Sequence, residues 1–232
     1  ELFDKLSKIK DLKWIRFHYA YPEKVDRTLL TYIMTNPKMC KYLDIPLQHI
    51  DDEILSSMRR RTNEQDTRNL VSLIKTEFPE IALRSTFIVG YPGETSRKFK
   101  KLAKFIEESK FEYAGFFAYS KEPNTASYYM KKQVPNFIKN LRLKKILKIQ
   151  QKVDTEIAET MIGKEVEVLV DSFDESTGEY CGHSQKLSPS VDFGIRFVDN
   201  NSVECCQIVK VKINDFNGSD YEGEILWTHQ TK

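Results

Sequence analysis

The chain has 232 residues, 40% hydrophobic and 12% aromatic, which is enough to bury a core and excludes global disorder. No run approaches the roughly 20 apolar residues that cross a bilayer, and no basic-then-apolar signal segment opens the chain, so no membrane association is expected. The net charge of +2 conceals an asymmetry: residues 162–232 carry 13 acidic against six basic side chains, −7, leaving +9 on residues 1–161. That contrast implies two domains with different partners, divided as 1–161 and 162–232.

Short apolar runs at residues 14–20 (WIRFHYA), 41–47 (KYLDIPL), 81–90 (IALRSTFIVG) and 113–119 (YAGFFAY) predict four strands, each followed by Gly/Pro punctuation or a polar turn. Between them helical periodicity predicts helices over 25–35, 51–60 with Asp51 or Asp52 as cap, 63–78 with Asn63 as cap, and 95–109. Strand–helix alternation of this kind gives a parallel sheet, here a partial TIM-like (βα) barrel. Four strands would leave an open edge at 14–20, so further strands upstream are expected. A long basic helix follows over 136–161 and stops at Gly163. Beyond it, alternating segments at 165–170, 191–197, 204–213 and 223–227 predict a small, all-β antiparallel barrel.

The four cysteines, Cys40, Cys181, Cys205 and Cys206, form no C-x-x-C pair, and adjacent cysteines make a poor disulfide. A reducing, cytoplasmic setting and no metal-ligand set are expected. The run Val89-Gly90-Tyr91-Pro92-Gly93-Glu94 lies between strand and helix, and no Gly-Lys-Ser/Thr follows it, so it is not a P-loop. Arg59–Arg60–Arg61 reads as solvated surface, and His18 as a core or rim histidine.

Four segments in order, WIRFHYAYP, YLDIPLQHIDDEILSSMRR, LRSTFIVGYPGET and FFAYSKEPNTAS, resemble the catalytic barrel of the radical S-adenosylmethionine (SAM) methylthiotransferases. The terminal region, with VLVD and SPSVDFG, resembles the OB-like TRAM domain that follows that barrel. The resemblance implies SAM bound at the strand ends, where ligands sit in parallel α/β folds generally. It assigns Gln48 to the ribose or methionine end, with His49 beside it, and Arg84 to the SAM carboxylate. Adenine would dock on main chain at Gly90, with Val89 packed on the ring. Tyr119, Ser120, Glu122 and Thr125 would lie near substrate, although Pro123–Asn124 replaces the family's acidic residue and glycine. The family carries two 4Fe-4S clusters on cysteine sets that this sequence does not contain, so the chain by itself is expected not to cleave SAM.

Within the family LDIPLQH resembles the branch that modifies an aspartate of a small-subunit ribosomal protein, rather than the branch acting on a tRNA adenosine beside the anticodon. The −7 charge of the terminal domain supports the same choice, since it would repel RNA and suit a basic protein. Docking carboxylates are expected at Asp171, Asp174, Glu175, Glu179, Asp192 and Asp220. A tRNA-modifying enzyme and a non-catalytic docking module are the alternatives.

Overall fold

The computed structural model describes residues 1–199 and 203–226. The chain divides into two compact units, Glu1–Val153 and Asp154–Lys232.

In the first unit α1 (Leu2–Ser7) and α2 (Arg27–Thr35) precede β1 (Tyr42–Asp44), α3 (Asp52–Ser57) and α4 (Glu64–Glu77). There follow β2 (Ala82–Val89), α5 (Ser96–Ser109), β3 (Tyr113–Ala118) and α6 (Asn136–Glu159). Short polar side chains start the helices as the sequence implies. Asp26, Asp51, Asn63 and Thr95 each accept a backbone N–H of the first turn, at 2.8, 3.4, 2.8 and 3.3 Å. Asp52, the other cap candidate, instead accepts the Glu64 N–H at the start of α4, at 2.6 Å.

The sheet is parallel in the order β1-β2-β3, with Asp44 opposite Arg84 and Arg84 opposite Tyr113. Three strands form it, not four. Residues 14–20 run alongside β1 with one parallel bridge, Ile15 to Met39, and an Ala20 N–H to Asp44 carbonyl bond of 2.9 Å. Tyr19 takes φ 62°, which no continuous strand accommodates. The core lies between one sheet face and the helices: Leu83, Phe87, Val89 and Phe116 pack with Leu102, Phe105 and Ile106 of α5. The Phe87 ring meets those of Phe105, Phe111 and Phe116 at centroid distances of 6.3, 5.4 and 5.7 Å.

The second unit holds a closed barrel, β4 (Glu165–Asp174), β5 (Glu179–His183), β6 (Ile195–Val198), β7 (Ile208–Phe216) and β8 (Tyr221–Ile225), in the order β4-β5-β6-β8-β7. Pairing is antiparallel except between β6 and β8, which run parallel, so the expectation of a wholly antiparallel barrel needs that correction. Closure leaves no open edge. The sequence pattern missed β5, and it started β6 and β7 too early. Tight turns hold the chain there, with Ser190 at φ 61° and Cys206 at φ 68°. Trp227, the expected end of the last strand, lies outside the described residues.

Candidate functional site

Alternation along β2 sorts its side chains. Leu83, Ser85, Phe87 and Val89 are fully buried toward the helices. Arg84, Thr86 and Ile88 share the opposite, open face with Gly115 and Phe117 of β3, and Phe117 is 59% exposed there. At the C-terminal ends of the strands a cleft of about 620 Å³ opens, walled by Met58, Ile88, Tyr91, Phe117 and Tyr119, with Gln48, Arg60, Ser120 and Glu122 as polar groups.

Gln48 stands in this cleft. Its backbone extends the sheet beyond β1, with the Gln48 N–H to the Thr86 carbonyl at 2.8 Å and the Ile88 N–H to the Gln48 carbonyl at 2.9 Å. Its φ of 69° turns the chain there, and its side-chain amide has no hydrogen-bond partner among the described residues. Nearby, the buried Tyr119 hydroxyl also lacks one. A largely apolar cleft with a few polar groups, Gln48 among them, has the chemistry of a site for a partly flat, partly polar ligand.

The other expected ligand residues lie differently. Val89 sits in the helix-facing core, and Ile88 takes the cleft position; one residue of register switches the face. Gly90 is covered by α6: a Cβ there would lie 2.4 Å from Lys139 Cγ, and its φ is +75°. Its lack of a side chain therefore admits the helix rather than a ligand ring. Arg84 pairs with the buried Asp44 at 3.4 Å, in the sheet wall, and His18 Nδ1 stands 3.6 Å from the same carboxylate. His49 is fully buried outside the cleft. Its Nδ1 accepts the Asp51 N–H at 3.0 Å, which puts the ring proton on Nε2; that atom has no hydrogen-bond partner and lies 3.9 Å from Glu94 Oε2. Burial depresses its pKa to about 4.

A buried polar cluster fixes the turn after β2. The Glu94 carboxylate accepts the Gly90 N–H and, at 3.0 Å, Arg142 of α6, which also donates to the Glu94 carbonyl at 2.9 Å. Burial raises the Glu94 pKa, and Arg142 opposes that shift. Lys139 Nζ donates to the Tyr119 carbonyl at 2.9 Å, and burial lowers its pKa. Sequence reading placed Lys139 and Arg142 on a merely basic helix; their one legible signal is a spacing of three, which puts both on one helix face. In the next loop Ser120 donates to Glu122 at 2.6 Å, and Asn124 takes φ 65°, the left-handed role of the glycine it replaces.

The cysteines do not suit an iron–sulfur cluster. Cys40 is buried, and burial raises its thiol pKa, as it does for Cys181 in the other unit. No group of three or more His, Cys, Asp or Glu side chains among the described residues has metal-site geometry. Of the expected docking carboxylates most are engaged within their own unit. Asp171 meets His183 at 2.7 Å, and Asp174 accepts Ser176 Oγ at 2.6 Å, which lowers its pKa. Asp192 accepts the Ser188 N–H at 2.8 Å. Asp220 and Glu179 flank Arg196 at 2.7 and 3.5 Å, while Glu175 is exposed and makes no such bond.

These features define a parallel α/β unit with a ligand cleft at its strand ends, joined to an OB-like barrel, and residues 162–226 match the TRAM domain model. The chain is 42% identical, over 97% of its length, to the "Ribosomal protein uS12 methylthiotransferase RimO" of Elusimicrobium minutum, and 41% identical over 97% to the protein of the same name from Citrifermentans bemidjiense. Along almost its whole length the chain is thus similar to a part of proteins bearing the RimO methylthiotransferase name. It spans about half the length of these curated relatives, 51% and 50% respectively. Among solved structures, coproporphyrinogen III oxidase (HemN) of Escherichia coli, described as a radical SAM enzyme, matches with a TM-score of 0.48 and 18% identity, covering 62% of this chain and 32% of that one.

Proposed function

We propose that this chain forms part of a cytoplasmic radical SAM methylthiotransferase that adds a methylthio group to the β-carbon of an aspartate in a basic small-subunit ribosomal protein. The observation that carries the reading is similarity along 97% of the chain to relatives named ribosomal protein uS12 methylthiotransferases. The strand-end cleft supports it, with the Gln48 amide available to a polar ligand edge and Ile88 and Phe117 to a flat one. When bound, SAM together with 4Fe-4S clusters supplies radical chemistry. Thiolates for two such clusters would have to come from residues other than the cysteines of this chain. Gln48 would orient the ligand, the apolar walls would exclude water, and the Glu94–Arg142 cluster would keep the Gly90 turn in place. No helix among the described residues is long and apolar enough to cross a membrane.

The test is incubation of a reconstituted protein containing this sequence with SAM, a sulfur source and the basic ribosomal protein. Mass spectrometry should find a methylthio group on one aspartate, and Gln48→Ala should raise the apparent SAM Kd severalfold. Transfer to tRNA in place of protein would overturn the substrate assignment.

A further inference from the structure

Beside the strand-end cleft lies a second one, of about 360 Å³, lined by Tyr21, Glu23, Lys24, Arg59, Arg60 and Arg61. Arg60 lines both clefts, and its guanidinium donates to the Pro46 carbonyl. Sequence reading treated these arginines as solvated surface. Their electrostatics argue otherwise. Several other cations of this unit meet carboxylates, as in Arg27–Glu77, Lys98–Glu53 and Lys101–Glu64. In the cleft the side chains of Lys24, Arg59 and Arg61 make no ion pair or hydrogen bond among the described residues, and Glu23, the lone carboxylate there, pairs with none of them. Like charges held together without counter-charges repel, and the arrangement stands only because solvent or an anionic partner screens it.

Two further observations narrow the partner. Residues 1–153 carry 30 Lys and Arg against 18 Asp and Glu, net +12, so the surrounding field favours a polyanion. Tyr21 in the cleft is 61% exposed, and Tyr19, two residues before it, is 72% exposed. Unpaired cations beside exposed aromatic faces make a surface for a charged backbone with stacking bases. From this we infer that the Lys24–Arg59–Arg61 cleft binds single-stranded RNA, with phosphates on the three cations and a base stacked on Tyr21. The residues of this cleft all belong to the basic unit. The continuity through Arg60 places bound RNA next to the strand-end cleft, as suits a protein substrate presented with RNA attached. The inference does not depend on the methylthiotransferase reading, because its readout is RNA affinity.

Fluorescence anisotropy of the full chain with a short labelled oligouridylate tests it. Lys24→Glu, Arg59→Glu and Arg61→Glu together should weaken binding at least about tenfold. They should also flatten the slope of log K against log salt by about 2, three phosphate contacts at roughly 0.7 each. The charge-matched control Lys144→Glu, Lys145→Glu and Lys148→Glu, on exposed positions of α6, should do neither. Exchanging arginine for lysine at 59 and 61 should retain most of the affinity and so separates charge from misfolding. Tyr21→Ala should weaken RNA binding about fivefold or more, from lost stacking, and leave binding of inorganic polyphosphate unchanged. The inference fails if the control triple is equally damaging, if Tyr21→Ala has no effect on RNA, or if polyglutamate competes as well as unlabelled RNA.

Discussion

At His49, burial has removed water from an imidazole without supplying a partner for its Nε2 proton. The folded pKa is about 4, below the ordinary 6.5. The neutral ring therefore favours the fold fully above pH 6.5, and stability falls as pH drops toward 4, where folded and unfolded states are both protonated. The slope in that window is about 1.4 kcal/mol per pH unit. Urea titrations of wild type and His49→Gln should show the wild type losing about 2 kcal/mol more between pH 7 and 5. Parallel losses would show that the ring is solvated in solution. Glu94, 3.9 Å away and shifted upward, contributes the opposite slope. Since it is present in both proteins, its contribution largely drops out of the difference. None of this was legible in the sequence, where His49 reads only as the residue after Gln48. Its burial depends on the path of α3 and on residues forty positions away.

At the scale of elements, strands and helices followed from periodicity and caps wherever one face is buried. The amphipathic α5 is the clearest case: Phe99, Leu102, Phe105 and Ile106, at helical spacing, are all buried. The failures are physical. Residues 14–20 have strand composition, but they make a single bridge, Ile15 to Met39, and Tyr19 takes a positive φ, which composition does not report. Val89 and Ile88 are both apolar, so nothing in the sequence said which faced the cleft. Gly90 has the backbone of a position without a side chain, and the space beside it belongs to Lys139. This yields a test of the clamp between α6 and the strand ends. Gly90→Ala meets both a left-handed φ and a 2.4 Å clash, and should destabilise by about 2–3 kcal/mol. Combining it with Lys139→Ala removes the clash but not the φ cost, so the two changes should be less than additive by about 1 kcal/mol or more. Strict additivity in denaturant melts would mean that Lys139 does not cover Gly90.

Across the whole molecule the charge is segregated: residues 1–153 carry +12, and residues 154–232 carry −10. For a basic ribosomal protein the acidic unit is the complementary surface, and the structure changes which of its carboxylates can serve. Asp220 holds the Gly194 N–H and Arg196, and Asp171 holds His183. Both carboxylates are engaged within their own unit, and their removal would cost stability before it reported on docking. Glu167, Glu175 and Glu204 are exposed, with no side-chain ion pair among the described residues, and so would carry any long-range attraction in the docking expected of this unit. The proposed docking predicts that calorimetric affinity of the full chain for the basic protein falls steeply as the screening length shortens from about 10 Å at 0.1 M salt to about 3 Å at 1 M. Lysine at all three positions should weaken binding and flatten that dependence, chiefly by slowing association. Asp220→Asn should instead lower the melting temperature and leave the salt dependence nearly intact. Unchanged affinity after the triple charge reversal would leave these carboxylates of the terminal barrel without a docking role.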